Sequence, residues 1–124
     1  MVLADPDYAT QGLAGVEEEL SRLVLRFRAD RNLRNGRLAH CHAALLIERG
    51  LTDITVDTRT AVVRDPLSLD NVWGLRSWAR SAAGTGMMTT EQADAFEAQF
   101  DEAVMRTRFA YTVTFFITAG TVSE

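Results

Sequence analysis

Hydrophobic and polar positions change their period several times along the 124 residues, and each change marks an element. Met1-Val2-Leu3-Ala4 is a short apolar run. Asp5-Pro6-Asp7 closes it, because proline brings no ladder donor and aspartate favours turns, so the run predicts the tail of a buried strand. Beyond Gly12 and Gly15, the apolar residues Val16, Leu20, Leu23, Val24 and Phe27 fall at i, i+4, i+7, i+8 and i+11, one face of an amphipathic helix. Glu17, Glu18 and Glu19 lie in its first turn and Arg26, Arg28 and Arg31 late, as the helix dipole favours. Asn32 to Gly36 is a polar break. A second helix is predicted over roughly Arg37 to Arg49, burying Leu38, Leu45 and either Cys41 or His42, with Gly50 as its C-cap.

Ile54, Val56 and Thr58 then alternate with Thr55, Asp57 and Arg59, and Ala61-Val62-Val63 follows, which predicts a strand ended by Asp65-Pro66. Ser68 is placed to cap a third helix with Val72, Leu75, Ala79 and Ala82 on its apolar side and Trp73 and Trp78 beside them. Gly84-Thr85-Gly86 breaks that helix. Thr89 with Gln92 three residues on is a capping box for a fourth, whose stripe is Ala93, Phe96, Phe100, Ala103 and Val104. Last, Phe109, Tyr111, Val113, Phe115 and Ile117 alternate with Ala110, Thr112, Thr114 and Thr118, while Phe116 makes the second face partly apolar. That pattern predicts a central strand covered on both sides. The order is β-α-α-β-α-α-β.

Composition narrows the class. Nearly half of the residues are hydrophobic and mean hydropathy is −0.06, which fits one globular domain and no membrane span. Met1 to Asp5 carries no basic stretch, so no signal peptide is expected. The formal charge of −4 leaves no basic footprint for nucleic acid. The single cysteine, Cys41, excludes an internal disulfide and points to a reducing cytoplasm.

Candidate chemistry is sparse. His40-Cys41-His42 suggests a metal, but helical residues two apart point about 200° from one another, whereas zinc-binding helices use i and i+4, so a structural role is expected. Adjacent helical residues do not face one another either, which sets aside a Cys–His nucleophile pair. Gly84-x-Gly86 sits between two helices, and Gly12-x-x-Gly15 lacks the rest of a phosphate-loop fingerprint, so both read as turns. Asp5-Pro6-Asp7-Tyr8 carries more, because acids just past the carboxyl end of a buried strand stand where open α/β sheets place their ligands.

Taken in order, these segments resemble the C-terminal portion, from about the fifth strand onward, of class I S-adenosylmethionine-dependent methyltransferases that act on small molecules. The residues that carry the resemblance are Val2-Leu3-Ala4-Asp5-Pro6-Asp7-Tyr8, Gly50-Leu51-Thr52-Asp53-Ile54-Thr55-Val56, Leu75-Arg76-Ser77-Trp78-Ala79, Thr89-Thr90-Glu91-Gln92-Ala93 and Phe115-Phe116-Ile117-Thr118-Ala119-Gly120. The resemblance implies an α/β fold over residues 1–124, a single partial domain forming the C-terminal part of a Rossmann-like sheet. Its three strands would run in the order stub, C-terminal strand, middle strand, with the C-terminal strand central and antiparallel, and about four helices would cover them. It implies S-adenosylmethionine as cofactor of the full-length family. The family's first strand, its Gly-rich turn and the acid ending its second strand have no counterpart here, so this chain alone is not expected to bind it. A small-molecule acceptor is the implied ligand, and no catalytic base carries over. For the acceptor pocket the resemblance points to Asp5, Asp7, Tyr8 and Arg37, with Trp78 as an aromatic wall.

Three functions follow in order. The chain is a methyltransferase fragment inactive alone, or the accessory subunit of a split enzyme whose partner polypeptide supplies the cofactor half, or a non-catalytic α+β small-molecule-binding module. Neither nucleic acid nor a membrane is an expected partner.

Overall fold

The computed structural model describes residues 1–32, 36–65 and 74–122. Its elements are β1 (Val2–Ala14), α1 (Glu18–Phe27) running into a π turn (Arg28–Asn32), a 3-10 turn (Leu38–Cys41) leading into α2 (His42–Glu48), and β2 (Thr52–Val63). A second 3-10 turn (Leu75–Ser77) then opens α3 (Trp78–Gly84), followed by α4 (Thr90–Met105) and β3 (Ala110–Thr121). The described residues are thus α/β, with four α-helices and one three-stranded antiparallel sheet in the order β1-β3-β2. Both outer strands run antiparallel to β3 and therefore parallel to each other.

The C-terminal strand is central, as its two-sided apolar pattern predicts. Register separates its faces, since residues paired across antiparallel strands share a side. Tyr111, Val113 and Phe115 lie on one face with Leu13 of β1 and Ala61 and Val63 of β2, and all pack into the core with α1, α3 and α4. Leu20, Val24 and Phe27 of α1, Ala79 and Ala82 of α3, and Ala93, Phe96 and Phe100 of α4 supply the helical side. On the opposite face, Asp7 pairs with Thr114 and Asp5 with Phe116, while α2 packs over β2 and β3 and buries Leu46. The Thr89–Gln92 capping box forms as expected, with both reciprocal hydrogen bonds present.

Three expectations are corrected. The first strand does not stop at Asp5-Pro6-Asp7 but runs to Ala14, and it lies at the sheet edge, with Val2 exposed, rather than buried. An edge tolerates Pro6, whose missing N–H costs no central ladder bond. A bulge between Asp7 and Gly12 absorbs the turn-forming residues, and the Thr10 hydroxyl accepts the Thr114 N–H at 2.8 Å in place of a backbone carbonyl. The second helix is split, and Leu38 and Leu45 are exposed while Ala39, His42 and Leu46 are buried. The tighter 3-10 turn shifts the phase on which the expectation rested. Val104 is exposed at the end of α4, outside the buried set Ala93, Phe96, Phe100 and Ala103. The predicted strand end at Pro66, the Ser68 cap, Val72 and Trp73 lie outside the described residues.

Candidate functional site

The bulge of β1 and the segment that follows α1 build the only arrangement of functional groups linked by side-chain bonds to Asp5 and Asp7 among the described residues. The N–H of Tyr8 donates to the Gly36 carbonyl at 2.8 Å, which draws residues 36–41 alongside the strand. Gly36 also packs tightly against the turn after α1, where a Cβ would stand 2.3 Å from the Ala29 carbonyl oxygen. His40 and His42 are thereby set against the same face of β1 that carries Asp5 and Asp7.

Two Asp–His pairs result, and they differ in kind. Asp7 is buried, and its Oδ1 accepts the Ala9 N–H at 2.9 Å while its Oδ2 lies 2.8 Å from Nδ1 of His40. The His40 side chain is 43% exposed, so the pair has a buried carboxylate behind an accessible imidazole. Asp5 and His42 reverse this. Asp5 is exposed and His42 buried, their closest approach is 3.5 Å, and Nδ1 of His42 has no hydrogen-bond partner. At that distance the second contact is weak.

Two cavities meet beside these pairs. One, about 390 Å³, lies between the bulge of β1 and α1, with Tyr8, Gln11 and Leu13 on one wall and Ser21, Leu25 and Arg26 on the other. The second, about 350 Å³, is lined by Asp30, Leu38, His40 and Cys41. Ala29 and Arg37 line both and form the shared wall. Arg37 donates through Nε to Asp30, and that hydrogen bond holds its guanidinium even more firmly protonated than usual, with Asp30 and Asp7 adding coulombic support. Arg22 at the rim is paired with Glu18 at 2.6 Å.

Under the larger cavity a polar network penetrates the core. The Tyr111 hydroxyl donates to Oε1 of Gln11 at 2.6 Å, and Nε2 of Gln11 donates to the Tyr8 carbonyl at 2.8 Å. Burial pushes the Tyr111 hydroxyl well above the ordinary tyrosine value, with the charge of Tyr8 adding to this and Arg28 opposing it. The Arg28 guanidinium lies 4.5 Å from the Trp78 ring centroid and 5.8 Å from that of Tyr8, a cation–π position, and its Nε is buried without a hydrogen-bond partner. Burial lowers its pKa, against smaller opposing contributions from Tyr8 and Tyr111.

Of the residues singled out from the sequence, Tyr8 and Arg37 line the cavities, Asp7 is buried behind His40 and lines neither, Asp5 stands exposed beside His42, and Trp78 is buried edge-on against Tyr111 at 6.2 Å between centroids. The sequence reading missed the role of His40 as the partner of Asp7, and it missed Gln11 and Arg28. The signal available for His40 was a shared spacing, Asp5-x-Asp7 against His40-x-His42. A strand puts residues two apart on one face. His40 lies in the 3-10 turn and His42 begins α2, so a uniform helical rotation does not describe their directions.

Gly12 and Gly15 do not make a cofactor cradle. A Cβ at Gly12 would meet the Thr112 hydroxyl at 2.7 Å, and one at Gly15 would meet the Ala103 Cβ at 2.6 Å, so the protein's own atoms already fill both spaces. Neither glycine therefore offers the open backbone that a Gly-rich cofactor turn needs. Among the described residues no group of three or more His, Cys, Asp or Glu side chains is placed to hold a metal ion, and no helix is long and apolar enough to cross a membrane. Compared with protein-family models and with curated proteins, the sequence matches none.

Proposed function

We propose that these residues are the acceptor-side, sheet-closing part of a class I S-adenosylmethionine-dependent methyltransferase acting on a small molecule, with the donor-binding strands supplied by polypeptide outside this sequence. The observation that carries the reading is the sheet itself. Two parallel strands, β1 and β2, flank an antiparallel C-terminal strand, the arrangement that the resemblance implies for the fifth, seventh and sixth strands of that family. The position of Tyr8 supports it further, since it stands at the bulge where β1 leaves the ladder and lines a cavity where an acceptor would sit. A non-catalytic module in which the first residues pair with nothing is less well supported, because Val2, Leu3 and Ala4 pair with Ala119, Thr118 and Ile117. In such an enzyme the methyl donor does the hard chemistry, and the acceptor side contributes position and orientation.

The test is calorimetric. The isolated 124-residue chain is titrated with S-adenosylmethionine beside the same chain joined to, or co-purified with, the polypeptide encoded directly upstream. Binding by the pair and none by the chain alone is the expected result. Tight binding by the chain alone, or none by the pair, overturns the assignment.

A further inference from the structure

We propose that the outer edge of β2 pairs antiparallel with β2 of a second copy of this chain, about a two-fold axis at Thr58, so that Asp57 of each copy stands opposite Arg59 of the other. The pairing uses β2 and not the β1 edge that the donor-binding strands of the proposed enzyme would extend, so it stands apart from that reading.

The ladder fixes which groups of β2 face outward. The Thr114 N–H of β3 is turned toward β1, where it meets the Thr10 hydroxyl at 2.8 Å. Bonding direction alternates along a strand, so even-numbered residues of β3 bond toward β1 and odd-numbered ones toward β2. Val113, Phe115 and Ile117 pair with Ala61, Arg59 and Asp57. These odd residues of β2 therefore spend their backbone groups on β3. Val56, Thr58, Thr60 and Val62 present theirs outward, where no further strand lies among the described residues. Thr58 shows this directly, because its N–H is held by Oδ1 of its own neighbour Asp57 at 2.9 Å.

Exposed edges are ordinarily blunted by proline, bulges or lysine. On β1, Pro6 and the bulge between Asp7 and Gly12 interrupt the outer edge midway. From Thr55 to Val63, β2 follows β3 without a register shift and holds no proline, glycine or lysine. It leaves Val56 50% and Val62 60% exposed, apolar surface that a neighbouring strand would cover. The charges in that stretch are Asp57 and Arg59, both exposed and two apart, hence on one side of the strand. Charge then selects the register. An axis at Asp57 sets carboxylate against carboxylate and one at Arg59 sets guanidinium against guanidinium, and like charges directly opposite are destabilising. An axis at Thr58 instead makes two Asp57–Arg59 pairs, at the non-hydrogen-bonded positions where side chains come closest. It also brings Thr58 opposite Thr58 and Val56 opposite Thr60, residues whose backbone groups all face outward. The Asp57 carboxylate exchanges the Thr58 N–H for the arginine of the other copy. Such a contact is self-complementary and closes at two copies, joining both sheets into one.

The test is light scattering behind size exclusion on the full chain, and a dimer is expected. Asp57→Arg and Arg59→Asp each set like charges opposite one another at both pairs. Each should weaken association roughly tenfold or more and run as a monomer where the wild type is dimeric. Mixed in equal amounts, the two variants should form a heterodimer, because each arginine of one then faces an aspartate of the other. A role for the two charges in merely solvating the edge gives no such rescue. Melting curves check the fold of both variants, and if either fails to fold, cross-linking decides alone. In a Cys41→Ser background, Thr58→Cys should oxidise to a disulfide-linked dimer while Thr60→Cys stays reduced, since position 58 meets itself and position 60 does not. A monomeric wild type, a dimer indifferent to the single reversals, folded variants that stay apart when mixed, or equal cross-linking at positions 58 and 60 overturns the proposal.

Discussion

Replacing Tyr111 by phenylalanine tests the buried polar network through its response to alkali. The chain has 13 basic residues, all arginine, so no lysine contributes to the response near pH 10, and its two tyrosines are Tyr8 and Tyr111. Tyr111 is fully buried, and its hydroxyl is pushed above the ordinary value of 10 mainly by desolvation. A folded-state pKa raised above the unfolded one gives a contribution fully present below pH 10 and lost as pH climbs toward the folded value. By one pH unit above the unfolded value, the unfolded chain gains about 1.4 kcal/mol from ionising this single hydroxyl while the folded chain does not. Urea unfolding at a series of pH values should therefore show wild-type stability falling above pH 10, and Tyr111→Phe should lack about 1.4 kcal/mol of that fall at the top of the range. At neutral pH the same substitution removes the 2.6 Å bond to Gln11. The partly exposed amide can turn to water, so the cost there is only about 1 kcal/mol. Parallel stability profiles across the alkaline range would refute the argument that Tyr111 titrates abnormally.

Two further substitutions probe the backbone and the second face. Gly15 has φ of +93° and its missing Cβ would stand 2.6 Å from the Ala103 Cβ, so Gly15→Ala should cost about 3 kcal/mol in denaturant unfolding, and wild-type stability would contradict the geometry. The Thr118 hydroxyl is buried without a partner, so Thr118→Val should raise stability by about 1 kcal/mol, and a lowered melting temperature would mean that the hydroxyl is hydrogen-bonded after all.

The elements with sustained periodicity were legible in the sequence because their burial is one-sided or complete. The stripe Leu20, Val24, Phe27 gives α1, the Thr89–Gln92 box starts α4 at the right residue, and the two apolar faces of β3 mark it as the middle of the sheet. What failed was local punctuation. Asp5-Pro6-Asp7 has the composition of a stop, yet pairing with Phe116, Phe115 and Thr114 outweighs it, since an edge strand loses little by including a proline. The site was half legible. Asp7 and Tyr8 follow from their place after an apolar run, whereas Arg37 was pointed to by the family resemblance alone. The partnership with His40 spans 33 residues and depends on the Tyr8–Gly36 bond, a long-range contact that no local pattern encodes.

The bulge in β1 has a consequence for how this strand can change. From Asp7 to Gly12 the chain takes five residue steps while β3 takes two, from Thr114 to Thr112, so an odd number of extra residues is inserted. An odd insertion inverts the parity of the strand. Before the bulge the odd-numbered Asp5 and Asp7 look toward α2, and after it the odd-numbered Leu13 looks into the main core. The two halves of β1 are thus out of phase, and the loop 8–11 is what lets one strand hold the Asp–His contacts on one side and pack into the core on the other. Deleting or adding a single residue there would bring the halves into step and turn either the acids or the leucine to the wrong side, whereas changes of two residues would leave both where they are.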